Sequence, residues 1–229
     1  MVKTYSLLTA CDDSVTVPGC CAPSDYERLF GKRAAAWDAR RYRKRGLTGT
    51  ARELFELAGD VHGESVLEVG GGIGAIELEL LAGGAERATN VELSGEYEHA
   101  ASELLAERGL AERAERRIGD FVTEAAAIEP HDVVVMHRVV CCYPDVDALV
   151  GTAAARTRRV LLLTYPRDRL PIRLALKVVN LALRISGTTF RVYVHPAERI
   201  AAAAAPHGLT LVKRERNSRV WESAAFALT

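Results

Sequence analysis

The sequence predicts an α/β protein with a doubly wound, mostly parallel seven-stranded sheet that closes in an antiparallel hairpin. Apolar runs and helix-like segments alternate from Ser65 onward, which is typical of a parallel sheet covered by helices on both faces. Near the end of the chain, two strand-like runs meet at Asn217-Ser218 with no helix between them, which indicates an antiparallel pair. The 229 residues suffice for one domain with a substantial core.

The first predicted strand leads into a glycine-rich loop. Residues 65–69 are an apolar run typical of a buried parallel strand, and Glu68 stands near its end. Glycine lets the backbone pass close to a ligand because it has no Cβ, and the first N–H groups of the next helix then face that ligand. We therefore expect a ligand at a loop made of Gly70, Gly71, Gly72 and Gly74.

The other elements follow in a regular order. Gly83 and Gly84 suit the end of the helix after the glycine loop, and Gly109 suits the end of the next one. Helices are predicted at residues 74–82, 95–108 and 197–205. The strands after the first are predicted at residues 88–93, 115–119, 132–137, 160–165, 209–215 and 220–228.

Residues 1–60 are predicted to form an N-terminal helical cap, which precedes the α/β domain at residues 61–229. Ser24-Asp25 suits the start of one helix, and a second is expected from Thr50 to Ala58. The cationic run at 39–45 is expected to be a solvated helix face. The alternative is a basic arm that meets an anionic group of a substrate.

A further helix is predicted in an insertion at about residues 168–190. Its polar residues recur at steps of four, four, three and four, which places them on one stripe, and most other positions are aliphatic. We expect a core helix with a solvated cationic stripe. A lid over a large apolar acceptor and an interfacial helix on anionic lipid are the alternatives. The stripe consists of Arg169, Arg173, Lys177, Asn180 and Arg184.

The composition limits the classes of function. Thirty basic residues balance thirty acidic ones, so no global field attracts nucleic acid or a membrane. We find no signal-peptide pattern and no membrane-spanning run, and with five cysteines we expect reduced thiols and a cytoplasmic location. The vicinal pairs Cys20-Cys21 and Cys141-Cys142 match no zinc signature. We expect buried thiols and no metal site, unless the two pairs meet around a soft metal.

Two kinds of nucleoside cofactor fit the glycine loop: a nicotinamide dinucleotide and a nucleoside methyl donor. Gly70-x-Gly72-x-x-Ala75 fits the dinucleotide fingerprint. Glu92 ends the second predicted strand, where a carboxylate can accept both ribose hydroxyl groups of either cofactor. Asp120 and Phe121 follow the third strand, so three successive strand ends carry candidate ligand-binding residues at one edge of the sheet.

The spacing Glu68-x-Gly70-x-Gly72-x-Gly74 resembles the first motif of class I S-adenosylmethionine-dependent methyltransferases. The resemblance implies a Rossmann-like methyltransferase fold at residues 61–229 and S-adenosylmethionine as the cofactor. It implies that Glu68 helps to hold the cofactor's amino group, that Asp120 accepts from the adenine amino group and that Phe121 packs on the adenine. The alternatives are an NAD(P)-dependent oxidoreductase and a non-catalytic nucleoside-binding module. The expected cofactor residues are Glu68, Gly70, Gly71, Gly72, Gly74, Glu92, Leu93, Asp120, Phe121 and His137.

The loop after the fourth strand is expected to face the methyl acceptor. Its sequence at 136–145, MHRVVCCYPD, resembles the corresponding segment of magnesium-protoporphyrin O-methyltransferases, which ends in a His-Tyr-Pro-like sequence. Tyr143 and Pro144 match that sequence, and Cys142 stands at the histidine position. The resemblance implies methylation of a small molecule, at an oxygen. From the balanced charge we expect no nucleic-acid partner.

His137, Arg138 and Tyr143 are the candidate catalytic residues. A hydroxyl or amine acceptor must lose a proton, and a histidine titrates in the useful range for removing it. A carboxylate acceptor needs an orienting cation instead, which Arg138 can supply. The sequence leaves both chemistries open, and it leaves open whether the acceptor is large and apolar or anionic.

Overall fold

The computed structural model describes residues 23–228, with side chains from residue 25 onward; the cysteines at positions 11, 20 and 21 lie outside this range. Within it, the helices are α1 (Pro23–Leu29), α2 (Lys32–Arg45), α3 (Thr50–Ala58), α4 (Ala75–Ala82), α5 (Glu98–Glu107), α6 (Phe121–Glu124), α7 (Val146–Ala155), α8 (Leu170–Ile185) and α9 (Ala197–Ala204). The strands are β1 (Ser65–Val69), β2 (Arg87–Glu92), β3 (Ala114–Ile118), β4 (His131–His137), β5 (Thr157–Pro166), β6 (Leu209–Glu215) and β7 (Trp221–Leu228).

The seven strands form one sheet in the order β3-β2-β1-β4-β5-β7-β6. The first five strands are parallel, and β7 runs antiparallel to both β5 and β6. The predicted fold class is therefore confirmed. Because β7 lies between β5 and β6, one edge of the sheet is β6. The second strand of the hairpin, β7, is therefore interior.

The central strands supply a core on each face of the sheet. All five residues of β1 are buried: Val66 packs with the core that includes α3 and α4, whereas Leu67 and Val69 pack with the core that includes α7 and α9. Successive strand residues face opposite sides, so a continuous apolar run suits a sheet that is covered on both faces. The polar strand β3 lies at the opposite edge from β6, where none of its residues is fully buried.

The helices before β1 share the first of these cores. Leu54 and Ala58 of α3 are fully buried, and Tyr42 of α2 donates a 2.6 Å hydrogen bond to Glu79 on α4. Ser223 of β7 donates to Glu53 of α3 at 2.6 Å. These contacts hold α2 and α3 against the sheet, and the division of the chain near residue 60 remains a prediction.

The predicted insertion helix is present as α8, but it is not a core helix. None of its 16 residues is buried, because the body of the protein covers only one side of it. Asn180, predicted on the solvated stripe, belongs to the covered side: its amide donates to the Val192 carbonyl and accepts from the Val192 N–H, each at 2.8 Å. A lid role for α8 remains a prediction. Among residues 23–228, no helix combines the length and the apolar character needed to cross a membrane.

Candidate functional site

Two adjoining cavities lie at the carboxyl edge of the sheet. The larger, of about 330 Å³, is bounded by α2, the glycine loop and the end of β4, and the smaller lies beyond the ends of β1, β2 and β3. The two share Tyr26, Gly70, Val139 and Cys142 as walls, so they form one continuous cleft. A cleft at the carboxyl ends of the strands is where open α/β sheets bind their ligands.

The glycine loop lines the larger cavity, and Gly70 also borders the smaller one. Gly70 and Gly72 have φ values of 63° and 56°, which other residues rarely adopt. A Cβ on Gly70 would stand 2.6 Å from Val139, and a Cβ on Gly71 would stand 2.3 Å from Asn90. Both the backbone conformation and the lack of space therefore require glycine here. Gly74 lines neither cavity; its φ of 72° places it at the left-handed N-cap of α4.

Glu92 lies at the end of β2 and holds the glycine loop. Its two carboxylate oxygens accept hydrogen bonds from the N–H groups of Gly72, at 2.8 Å, and Ser94, at 2.9 Å. The side chain is buried and lines the larger cavity, and its contact with a ribose remains a prediction. Burial raises its pKa, and the two N–H donors oppose this rise.

We expect Glu92→Ala to weaken binding of S-adenosylhomocysteine by roughly 1–3 kcal/mol, the usual cost of losing a charged hydrogen-bond acceptor. Isothermal titration calorimetry measures the change, with circular dichroism as the check on folding. The matched control is Glu96→Ala, an acidic residue four positions later that lines neither cavity and pairs with Lys32. Equal affinities of Glu92→Ala and the wild type, both folded, would remove Glu92 from the binding site.

Glu68, near the end of β1, packs against the glycine loop. It accepts a 2.9 Å hydrogen bond from the N–H of Glu77 in the first turn of α4, and a Cβ on Gly71 would meet its side chain at 2.8 Å. Burial, followed by the nearby charge of Glu77, raises the pKa of Glu68 to about 8. Glu68 also lines the larger cavity, and its contact with a cofactor amino group remains a prediction.

The smaller cavity is mostly apolar with one acid at its end. Leu93 and Phe121 line it as predicted, together with Val91 and Leu149. Asp120 caps α6 by accepting the Val122 N–H at 2.8 Å through one oxygen. Its other oxygen lies 3.4 Å from the hydroxyl of Tyr143, which donates to it.

Tyr143 lies in this smaller cavity, on the side of Asp120, whereas His137 and Arg138 line the larger one. The structure therefore does not bring the three candidate catalytic residues together. Tyr143 lies beside Asp120 and Phe121, and a catalytic role for it remains a prediction.

His137 is held as a neutral side chain. Its Nε2 and the Oγ1 of Thr50, the first residue of α3, share a hydrogen bond of 3.0 Å. Burial lowers the pKa of His137 to about 3, and the charges of Arg138 and Arg41 add to this effect. At neutral pH the imidazole is therefore uncharged and a poor proton acceptor.

Arg138 follows β4 in a left-handed backbone conformation, with a φ of 62°. Its N–H donates to Thr164 on β5 at 2.7 Å, and its guanidinium stacks on the ring of Trp221, 4.8 Å from the ring centroid. Burial and the charge of Arg41 lower its pKa. Non-glycine residues with positive φ are uncommon and concentrate at functional sites.

Helix α2 contributes two further residues to the larger cavity, one of them from the cationic run. Arg41 and Asp38 line the larger cavity, and Asp38 accepts a 3.2 Å hydrogen bond from the hydroxyl of Tyr97. Burial raises the pKa of Asp38. The cationic run at 39–45 was the available signal: Arg43 pairs on the surface with Glu107, as expected of a solvated face, but Arg41 reaches the cavity.

The two described cysteines are neighbours with unlinked sulfurs. The sulfur atoms of Cys141 and Cys142 are 3.6 Å apart, Cys141 is buried, and Cys142 lines both cavities. The partner pair at positions 20 and 21 lies outside the described residues, so a meeting of the pairs remains a prediction. Among residues 23–228, no three His, Cys, Asp or Glu side chains form a metal-binding group.

Solved structures share the fold, although no protein-family model and no curated protein matches this sequence. The magnesium protoporphyrin IX methyltransferase of Synechocystis PCC 6803 with bound SAH has a TM-score of 0.65 and 18% identity, over 90% of this chain and 99% of that one. The same protein with bound SAM has a TM-score of 0.62 and 15% identity, over 90% of each chain. An O-methyltransferase family 2 protein from Planctomyces limnophilus DSM 3776, in complex with apigenin, has a TM-score of 0.64 and 20% identity, over 86% of this chain and 62% of that one.

Proposed function

We propose that this chain, which has the fold of the class I S-adenosylmethionine-dependent methyltransferases, is itself such a methyltransferase and transfers a methyl group to an oxygen of a small molecule. The observation that carries the proposal is the continuous cleft at the carboxyl edge of the sheet. Its glycine wall and apolar slot suit a nucleoside cofactor, and its larger end holds two arginines beside the loop after β4.

The residues of the cleft fit S-adenosylmethionine. Gly70, Gly71 and Gly72 give a backbone wall that a Cβ would obstruct. Glu92 has lone pairs left for ribose hydroxyl groups, and the smaller cavity offers apolar walls with Asp120 at its end. When bound, the sulfonium group supplies an electrophilic methyl group to the acceptor. The protein's part is then to hold the acceptor oxygen in line and to exclude water.

The strand order favours this reading over an NAD(P)-dependent oxidoreductase. Dinucleotide-binding sheets have the order 3-2-1-4-5-6, in which the second half of the sheet binds the second nucleotide. In this chain the antiparallel strand β7 lies next to β5 instead. The larger cavity, which extends from the glycine wall to α2, favours an enzyme over a non-catalytic nucleoside-binding module.

The acceptor that best suits the larger cavity carries a carboxylate. Arg138 and Arg41 line the cavity, and a guanidinium binds a carboxylate through paired hydrogen bonds. A carboxylate acceptor is already ionised at neutral pH, so it needs no general base, and His137 with a pKa of about 3 is a poor one. The similar structures are named for magnesium protoporphyrin IX or were solved with apigenin, and we propose a small molecule as the acceptor here too.

The first test of this function is calorimetric. We expect S-adenosylhomocysteine to bind the wild-type protein, and NAD and NADP not to bind, because the apolar slot and glycine wall accommodate one nucleoside. The opposite preference would support the oxidoreductase. If none of the three ligands binds, neither a methyltransferase nor an NAD(P)-dependent oxidoreductase is supported.

The second part of the test concerns the acceptor. The enzyme is incubated with donor carrying a labelled methyl group and with a small-molecule extract of cells. A methyl ester releases its label as volatile methanol in alkali, whereas an ether or an N-methyl product retains it. We expect alkali-labile label; label that is stable in alkali would exclude a carboxylate acceptor while leaving methyl transfer in place.

A further inference from the structure

The exposed side of α8 carries a continuous row of large aliphatic residues. Five large residues recur at steps of four, four, three and four, so they lie on one face of the helix. Large aliphatic residues scattered singly on a surface are ordinary, but five in one row are not. We call this row the α8 seam: Leu170 (69% exposed), Leu174 (52%), Val178 (68%), Leu181 (57%) and Ile185 (79%).

The seam cannot turn inward, because the opposite face of α8 is already attached to the protein. Ile172, Leu176 and Leu183 on that face are half-buried. Between them, the Asn180 amide makes its two hydrogen bonds with the Val192 backbone. The helix is therefore fixed in rotation, and the seam points away from the body.

A cationic strip flanks the seam on one side. Arg173, Lys177 and Arg184 follow each other at steps of four and seven, and α8 contains no acidic residue. Asp168 pairs with Arg173. Within the described part of the chain, Lys177 and Arg184 form no ion pair. The chain as a whole carries no net charge, so this strip is a local excess of positive charge.

The cationic strip favours one of two binding partners for the seam, which are a second copy of this chain and an anionic lipid surface. In a two-fold antiparallel pair of α8 helices, the same flank of each helix meets its copy, so Lys177 and Arg184 of one chain would face the cations of the other. Like charges in that position oppose pairing. An anionic lipid surface has the complementary charge, and its acyl boundary accepts aliphatic side chains while cations on the flank stay at the headgroups.

We propose that α8 docks on the surface of an anionic lipid bilayer, with the seam buried at the boundary between headgroups and acyl chains and the cationic strip at the headgroups. The helix lies in the plane of the membrane. This activity is independent of methyl transfer, because no residue of α8 lines either cavity of the cleft.

Vesicle flotation with the full chain tests the proposal. The probes are vesicles of phosphatidylcholine alone and vesicles that contain phosphatidylglycerol in addition, at low and high salt. We expect the chain to float with the anionic vesicles, to float much less with the neutral ones and to be released by salt. Failure to float with anionic vesicles, or equal flotation with both kinds, would overturn the proposal.

Matched variants locate the binding surface. Val178→Asp puts a carboxylate in the middle of the seam, and we expect at least tenfold weaker binding to anionic vesicles. Val212→Asp is the control, because Val212 is similarly exposed (56%) but lies on β6. Lys177→Gln and Arg184→Gln are each expected to weaken binding about fivefold, the usual contribution of one cation at an anionic surface.

These changes affect exposed side chains, so circular dichroism and thermal melting should match the wild type. Full vesicle binding by folded Val178→Asp would overturn the proposal. Sedimentation velocity supplies the last arm: a dimer of the wild type that Val178→Asp converts to a monomer would assign the seam to a second copy instead of to lipid.

Discussion

A Gly72→Val variant is expected to lose binding of S-adenosylhomocysteine by more than about 100-fold while the protein stays folded. Gly72 has a φ of 56°, and a Cβ there would stand 3.1 Å from the Tyr97 ring. A β-branched side chain in this conformation costs on the order of 1–3 kcal/mol. It also puts methyl groups on the wall that the ligand must approach and disturbs the N–H that Glu92 holds.

The control for Gly72→Val is Gly63→Val. Gly63 has a φ of 74°, and a Cβ there would meet no atom within 4 Å. This variant carries the same conformational strain but lies away from the cleft, so its affinity should equal that of the wild type. Calorimetric titration of both variants, with thermal melting for stability, separates the two effects. If Gly72→Val binds normally, the glycine wall is not part of the binding site.

An Arg138→Gln variant is expected to lower kcat/KM for a carboxylate acceptor about 10- to 150-fold, chiefly by raising KM. This range follows from about 1.5–3 kcal/mol for hydrogen bonds to a charged group. Arg138→Lys keeps the charge but loses the planar fork that stacks on Trp221, so it should recover only part of the activity. Binding of S-adenosylhomocysteine should change little in either variant. Steady-state kinetics with the methyl-esterified product as readout measures these effects.

The companion variants are Arg40→Gln and His137→Ala. Arg40 is exposed, adjoins Arg41 in the sequence and lines neither cavity, so its replacement should leave the kinetics unchanged. The lowered pKa of His137, about 3, means that this group stays uncharged from pH 5 to pH 8. The pH–rate profile of the wild type should therefore show no titration of His137 near neutrality, and the profile of His137→Ala should have the same shape. A titration near neutrality that disappears in His137→Ala, with full activity in Arg138→Gln, would instead make His137 the general base.

The smaller cavity was predictable because its residues follow from the strand pattern. Leu93, Asp120 and Phe121 come at the ends of β2 and β3, and parallel strands bring such positions to one edge whatever the details of packing. Asp120 is both the helix cap and a cavity residue, because its two oxygens point to different partners. The fold prediction rested on the same periodicity and was confirmed.

The larger cavity depends on contacts that no local pattern encodes. Arg41 reaches the cavity because α2 packs over the sheet, so the cationic run suggested a basic arm but not which of its members would line the cavity. Tyr143 was assigned by its loop, but the turn after β4 carries it to Asp120. In α8, the spacing of polar residues predicted a helix but not which of its two apolar faces the protein covers.

The interior position of β7 has a consequence for how the protein is made. Among residues 23–228, β6 pairs with β7 alone, and β7 also covers the edge of β5. During synthesis β6 therefore leaves the ribosome before its partner, and until β7 follows, the edge of β5 is unpaired. An open strand edge is a template for wrong pairing, so this interval is the exposed stage of biosynthesis. Trp221, on which Arg138 stacks, begins β7. The strand ends that line the smaller cavity can therefore form early, whereas Arg138 gains its stacking partner only when β7 has been inserted.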